Sequence, residues 1–364
     1  MSDDSTAAPR FPEHQSDCSM PFTGPQFRSD VLTGQRVIVA PSRSSRPSAC
    51  LSDPPLDRFP DPFAEGHESE TPDERFAIRP DDSPANGPGW TLRIVPNRYP
   101  AVIASSNDQP SSGVSDDGTA MFPWQPAIGE HDVVIECPDS RSRMAELSPV
   151  EIQQMLSAWR TRFQQLSTSS SIRSMCIFRN EGFSAGASLA HCHSQIVATT
   201  ELTPLDLARH ERAAQHRLKT GRDLVQDLWH AERSESIRLI TESSLIGVCC
   251  PFASHVAWQI RFVPKLTNPE SFAVASDNVL LDMAGLLKQA LASLECTLGG
   301  SFSFNLTLAH ARIDQPPAFS WFLDLLPRMG RVAGWELLTN IDIVTVAPET
   351  AAEKIRQHWG TPPC

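Results

Sequence analysis

The sequence predicts an α+β protein made of two similar halves, each a mostly antiparallel sheet packed with helices. Three observations carry that expectation. The order strand–Pro, strand–Pro, long helix, strand, loop, strand occurs once before residue 203 and again after residue 204. Strand candidates stand at hairpin-like spacing on either side of one long helix, which favours antiparallel pairing over the crossovers of a wound parallel sheet. At 364 residues the chain can hold two cores or one duplicated unit.

Residues 1–25 are polar and aperiodic and read as a disordered tail. Arg36-Val-Ile-Val-Ala40 is the first strand candidate, closed by Pro41; Ser48 to Pro88 is Pro-rich and reads as a long irregular connection. Leu92 to Pro96 and Asp132 to Glu136 are short strands, separated by a Ser/Asp/Gly-rich surface loop from Ser105 to Ala120. Ser148-Pro149-Val150-Glu151 combines an N-cap serine, a proline at the first helical position and a glutamate at the third, so a helix starts there. Ile152, Met155, Trp159 and Phe163 continue at helical spacing as its core face. A strand from Ser174 to Phe178 completes the regular part of the first half, 26–203.

The second half, 204–364, opens with a helical linker from Pro204 to Trp229. Strands follow at Ile246 to Cys250 and Trp258 to Val263, each ended by proline. Asn278 to Leu298 is a helix stopped by Gly299, and Ser303 to Leu308 and Trp321 to Leu326 are strands. Pro348 begins a last helix reaching about His358.

A formal net charge of −12 argues against a nucleic-acid partner, although a few arginines in a cleft still suffice for a small anion. The early residues Asp3, Asp4, Arg10 and Glu13 leave no apolar signal-peptide core, and no apolar run is long enough for a membrane partner, so a cytoplasmic protein is expected. Nine cysteines without a C-x-x-C pair suggest reduced, mostly buried thiols.

The informative stretch is Asn180-Glu-Gly-Phe-Ser-Ala-Gly-Ala-Ser188-Leu-Ala-His191-Cys-His193-Ser-Gln195. In an extended strand residues two apart share a face, so both imidazoles and the carboxamide line one surface, opposite Cys192 and Ser194. The Ser/Ala/Gly segment lets backbone N–H groups approach an anion, with the Ser188 hydroxyl as a further donor. A phosphate cradle feeding a histidine strand suggests a nucleophile aimed at phosphorus. H-x-H alone is more often a surface pair or half of a metal site.

Phe178-Arg-Asn180-Glu-Gly182, Ala185-Gly-Ala-Ser188 and His191-Cys-His193-Ser-Gln195 together resemble the active-site segment of the galactose-1-phosphate uridylyltransferase family, in the histidine-triad superfamily. They look closer still to its ADP-glucose phosphorylase relatives. Leu32-Thr-Gly-Gln35 with Pro41-Ser-Arg43-Ser-Ser-Arg46-Pro47, Pro96-Asn97-Arg-Tyr-Pro100, and Trp321 to Pro327 with Gly334-Trp-Glu336 extend the resemblance over roughly residues 26 to 357. It implies a ping-pong nucleotidyl transfer in which His193 attacks the α-phosphorus of a nucleoside-diphosphate sugar. A sugar 1-phosphate leaves, and a second one, or inorganic phosphate, takes the nucleotidyl group. Gln195 and Ser188 would hold phosphoryl oxygens, Arg43 and Arg46 would clamp phosphates, Asn97 and Asn180 would contact the nucleotide, and Glu336 would lie near hexose hydroxyls. A homodimer is possible.

The family's structural zinc is expected to be lost: Asp61, Ala64 and Ser140 stand at ligand positions and only His191 remains. The second metal positions fall at Phe322, Asp324 and Arg209, with His310 nearby. No metal or other cofactor is therefore expected, and Phe59, Phe63 and Trp90 would pin the long connection by packing. The leading expectation is a UDP-glucose:hexose-1-phosphate uridylyltransferase. The alternatives are an ADP-glucose phosphorylase, a non-catalytic nucleotide-binding paralogue and, least favoured, a metalloprotein using His191 and His193.

Overall fold

A computed structural model of the chain describes residues 24–45, 56, 60–80, 82–105 and 121–361. Strands β1 (Gln26–Ser29) and β2 (Arg36–Val39) come first. The first half adds β3 (Phe76–Ile78), β4 (Leu92–Pro96), β5 (Gly129–Ile135), helix α1 (Pro149–Ser167), β6 (Ser174–Glu181) and β7 (His193–Thr199). Helices α2 (Pro204–Thr220) and α3 (Leu224–Glu235) lead to β8 (Leu239–Glu242), β9 (Ile246–Cys249), β10 (Ile260–Pro264), α4 (Asp277–Leu298), β11 (Phe304–Ala309) and β12 (Phe322–Pro327). Helix α5 (Gly334–Thr339), β13 (Asp342–Val344) and α6 (Pro348–Gln357) follow.

Ten strands form one antiparallel sheet in the order β3-β4-β5-β7-β6-β11-β12-β10-β9-β8. From its middle outward the two halves repeat one pattern, β6-β7-β5-β4-β3 against β11-β12-β10-β9-β8, with α1 and α4 at corresponding places in the chain. The halves share this sheet because β6 pairs with β11, which leaves neither strand as an open edge. A separate small sheet joins β1, β2 and β13, the last running parallel to β2.

Helix α1 starts as its sequence dictates: the Ser148 hydroxyl accepts from Glu151 N–H, and the Glu151 carboxylate accepts from Ser148 N–H. Ile152, Met155, Trp159 and Phe163 are buried with Met283, Leu287 and Leu291 of α4, against Ile177, Ile196, Leu306 and Leu325 of the sheet. One sheet face is thus apolar and covered. On the other, Ala213 of α2 and Leu224, Val225 and Trp229 of α3 cover Cys249, Val263, Ala309 and Phe322, and the β5–β7–β6 part carries the polar residues of the site. The linker is two helices rather than one, because Gly221 takes a left-handed φ of 73° and Asp223 caps a new start. Strands β1, β3, β8 and β13 and helix α5 have no counterpart in the sequence expectations. Each strand spans only 3 or 4 residues and exists through long-range pairing.

Cys137, Cys192, Cys249 and Cys250 are buried free thiols. Cys296 departs from the expectation of reduced thiols, because it is disulfide-bonded.

Candidate active site

Strand β7 follows a tight turn at Phe183–Ala185, flanked by Gly182 and Gly186 in left-handed φ. A side chain at Gly182 would collide with Ser303, so only glycine turns the chain here. In the sheet register Ile135 opposes His193, Val133 opposes Gln195 and His131 opposes Val197. Phe178 opposes Gln195, and Asn305 opposes Asn180. Paired residues share a face, so His193, Gln195, His131, Asn180 and Asn305 stand on the open side. Ser194 and Ile196 face α1, where the Trp159 indole donates to Ser194 Oγ at 2.7 Å.

The His193 ring is 6% exposed, and its Nδ1–H donates to the His191 carbonyl at 2.7 Å. Nε2 therefore carries the lone pair. Burial, joined by the nearby Arg179 charge, pulls the ring down to about 4, so it is neutral at pH 7. The edge of Phe63 meets it at 5.4 Å between centroids. Beneath the strand, Arg179 donates to Glu136 and, at 2.8 Å, to Glu181, whose carboxylate also accepts from Met144 N–H. Burial pushes the Glu136 carboxyl up even with that guanidinium beside it. This buried ion cluster underlies the β5–β7 backbone.

A sequence model of the galactose-1-phosphate uridyl transferase N-terminal domain matches residues 20–203. ADP-glucose phosphorylase of Arabidopsis thaliana is 30% identical over 362 residues, covering 95% of this chain and 98% of that protein. The chain belongs to the galactose-1-phosphate uridyl transferase family. It is a nucleotidyltransferase of that family. Galactose-1-phosphate uridylyltransferase of Streptomyces lividans is 24% identical, over 68% of this chain and 58% of its own length. Among solved structures, an ADP-glucose phosphorylase from Arabidopsis thaliana with bound ADP-glucose superposes with a TM-score of 0.75 at 29% identity, over 92% of this chain and 99% of that one.

The structure brings part of the family pattern together. Gln195 Oε1 lies 2.9 Å from His131 Nε2, and the Asn97 carboxamide nitrogen lies 3.1 Å from the same atom. The Asn180 side-chain Oδ1 accepts from Asn305 Nδ2 at 2.7 Å, and Arg328 donates to Asn305 Oδ1. Ser188 is exposed, with no hydrogen bond of its hydroxyl among the described residues. Arg43, also exposed, sits in the 3-10 turn after β2, and Glu336 caps α5 by accepting from Ala333 N–H. Both belong with the small sheet, and neither bonds to β7 among the described residues. Arg46 lies outside the described residues. His131, Asn305 and Arg328 escaped the sequence reading, because a single polar residue in a strand has no spacing signal until its neighbour strand is known.

The family's zinc positions do converge, as a hydrogen-bonded cluster. His191 Nδ1 lies 2.9 Å from the Asp61 carboxylate and Nε2 lies 2.9 Å from the Cys137 carbonyl. Ser140 also bonds to Asp61, and His191 and Ser140 hold that carboxyl below its usual range against the opposing effect of burial. Ala64 offers no ligand atom, and both His191 nitrogens already face oxygen, so this donor set does not fit structural zinc. At the second position Asp324 is bound through both oxygens by Arg261, at 2.8 Å each. Phe63 packs beside both histidines and Trp90 is buried, donating to Glu68; Phe59 lies outside the described residues.

Proposed function

We propose that the chain transfers a nucleotidyl group through a covalent bond to His193 Nε2. The single observation that carries this is the His193 ring: neutral, with its one proton committed to the His191 carbonyl and its lone pair on the other nitrogen. In the first step Nε2 forms a bond to the α-phosphorus of a nucleoside-diphosphate sugar. The bond to the bridging oxygen breaks, and the sugar 1-phosphate leaves with the electron pair. The positive charge arising on the ring is shared through Nδ1–H with the His191 carbonyl. An acceptor phosphate oxygen then attacks the same phosphorus and releases His193. Gln195 and Ser188 offer donors to the non-bridging oxygens, where charge shifts during transfer. Asn97 and Asn180 are assigned to the nucleotide, Arg43 and Arg46 to phosphates, and Glu336 to the sugar.

The donor we favour is ADP-glucose with inorganic phosphate as acceptor. The 30% identity over nearly the whole chain to an ADP-glucose phosphorylase supports this above the uridylyltransferase reading, whose quoted relative is 24% identical over less of the chain. Exchange between UDP-glucose and a hexose 1-phosphate is the second reading. We place the enzyme in the cytoplasm; no helix of the described residues is long and apolar enough to cross a membrane. Exposed Met329, Val332, Leu337 and Leu338 around α5 support a homodimer. Product analysis decides between donors. ADP-glucose plus phosphate should give ADP and glucose 1-phosphate faster than UDP-glucose plus galactose 1-phosphate gives UDP-galactose, and the reverse order would reject our choice.

A further inference from the structure

We propose that His131 is a positioning residue that locks the Gln195 carboxamide with its NH2 group turned toward the transferring phosphoryl group. The inference rests on the His193 mechanism above. His131 lies on β5, one register step from Val133, which opposes Gln195, so its ring and the carboxamide are diagonal neighbours on the open face. The Ala101 backbone N–H donates to His131 Nδ1 at 3.0 Å. A backbone amide can only donate, so Nδ1 must be bare, and a neutral ring then carries its proton on Nε2. That proton has one acceptor, Gln195 Oε1 at 2.9 Å. With its oxygen held, the carboxamide presents its nitrogen as a donor, and no group among the described residues receives it.

The third neighbour of the ring, Asn97, competes for the same nitrogen, and the Ala101 bond to Nδ1 decides the tautomer against it. Tyr99 N–H donates to Asn97 Oδ1 at 2.8 Å, which turns the Asn97 nitrogen toward His131. With Nε2 protonated, the 3.1 Å approach of that nitrogen is no hydrogen bond, so its hydrogens must turn to another acceptor. His131 also accepts from Asn97 N–H through its backbone carbonyl at 2.8 Å. One residue thus ties the 97–101 loop to the strand of the nucleophile. It leaves two carboxamide nitrogens as donors on the open face. Without His131, Gln195 would rotate freely between donor and acceptor forms, and the acceptor form repels phosphate.

Two measurements on the full chain test this. A long-range proton–nitrogen spectrum of histidine-labelled protein at neutral pH should show His131, assigned by the signal lost in His131→Gln, with Nε2 protonated and Nδ1 bare. A proton on Nδ1 overturns the inference. Rapid-quench nucleotidylation of His193 with ADP-glucose should slow about 100-fold in His131→Leu, with apparent affinity changed less than about threefold. His131→Gln, which returns an N–H near Oε1, should recover to within about fivefold of wild type, and His131→Leu should slow the Gln195→Ala variant no further. Multiplying effects in the double variant, or a Gln variant as slow as Leu, would also overturn it. If the wild type forms no adduct with ADP-glucose or UDP-glucose, the mechanism fails instead, while the tautomer measurement still judges the His131 bond.

Discussion

Replacing Asp61 by alanine removes the acceptor that ties the long connection to the segment entering β7. Three donors lose it: His191 Nδ1 at 2.9 Å, Phe63 N–H at 3.1 Å and the Ser140 side chain. His191 is 4% exposed, so its N–H finds no water to replace the carboxylate. A charge-assisted bond of this kind contributes about 1.5–3 kcal/mol, and the two further donors, nearer to solvent, bring the loss to about 2–4 kcal/mol. With an unfolding entropy of about 2.1 cal/mol/K per residue, the melting temperature of a chain this long should fall by about 3–5 °C. Because the folded carboxyl sits below its unfolded value, this stabilisation is present at neutral pH and is lost as pH falls through the folded pKa. Scanning calorimetry at pH 7 and pH 4, with and without a chelator, measures it. Asp61→Ala should melt early at pH 7, the gap from wild type should be largely kept at pH 4, which is still above the folded pKa, and chelator should leave the wild type unmoved. An unchanged melting point in Asp61→Ala, or a wild type that collapses in chelator, would refute the view that hydrogen bonds do the work of the metal.

Other outcomes follow from the buried ionisable groups. His193 titrates at about 4, so the rate of adduct formation should stay flat from pH 8 to about pH 5, where an ordinary histidine would already be mostly protonated; a midpoint near 6.5 contradicts this. Despite burial, bonding to Asp30 and Asp342 raises His255 to about 9, and its Nδ1 is 2.8 Å from Asp342 on β13. A raised pKa stabilises the fold fully below the unfolded value and loses that effect as pH rises through about 9. Urea unfolding at pH 6 and pH 10 should therefore differ by up to about 2–3 kcal/mol more in wild type than in His255→Gln. Arg179→Met strands the buried Glu136 carboxylate and should cost about 3–5 kcal/mol in the same assay, with Glu136→Gln added to it restoring part; a neutral single variant would contradict the cluster's role.

What the sequence disclosed was local or periodic. Ser148 and Glu151 announce α1 because a capping box is complete within four residues, and the alternation of His193, Ser194 and Gln195 fixes which side chains share a face. The repeated order of elements disclosed the duplicated sheet pattern, but not the β6–β11 pairing that joins its halves, which is a contact between distant segments. The same limit hid β13, whose parallel pairing with β2 ties the two ends of the chain together. Alignment with family motifs brought Asp61, Ser140 and His191 correctly to one place, where the structure shows hydrogen bonds. It could not reveal His131, whose significance appears only when β5 and β7 are laid side by side.

The most direct test of the account is the intact mass of the protein after brief exposure to ADP-glucose or UDP-glucose without an acceptor, followed by peptide mapping. The account requires a gain of one nucleotidyl group, carried on the peptide that contains His193, acid-labile as a phosphoramidate is, and absent from His193→Ala. A sugar nucleotide turned over by His193→Ala, or an adduct mapped to any other side chain, would contradict it.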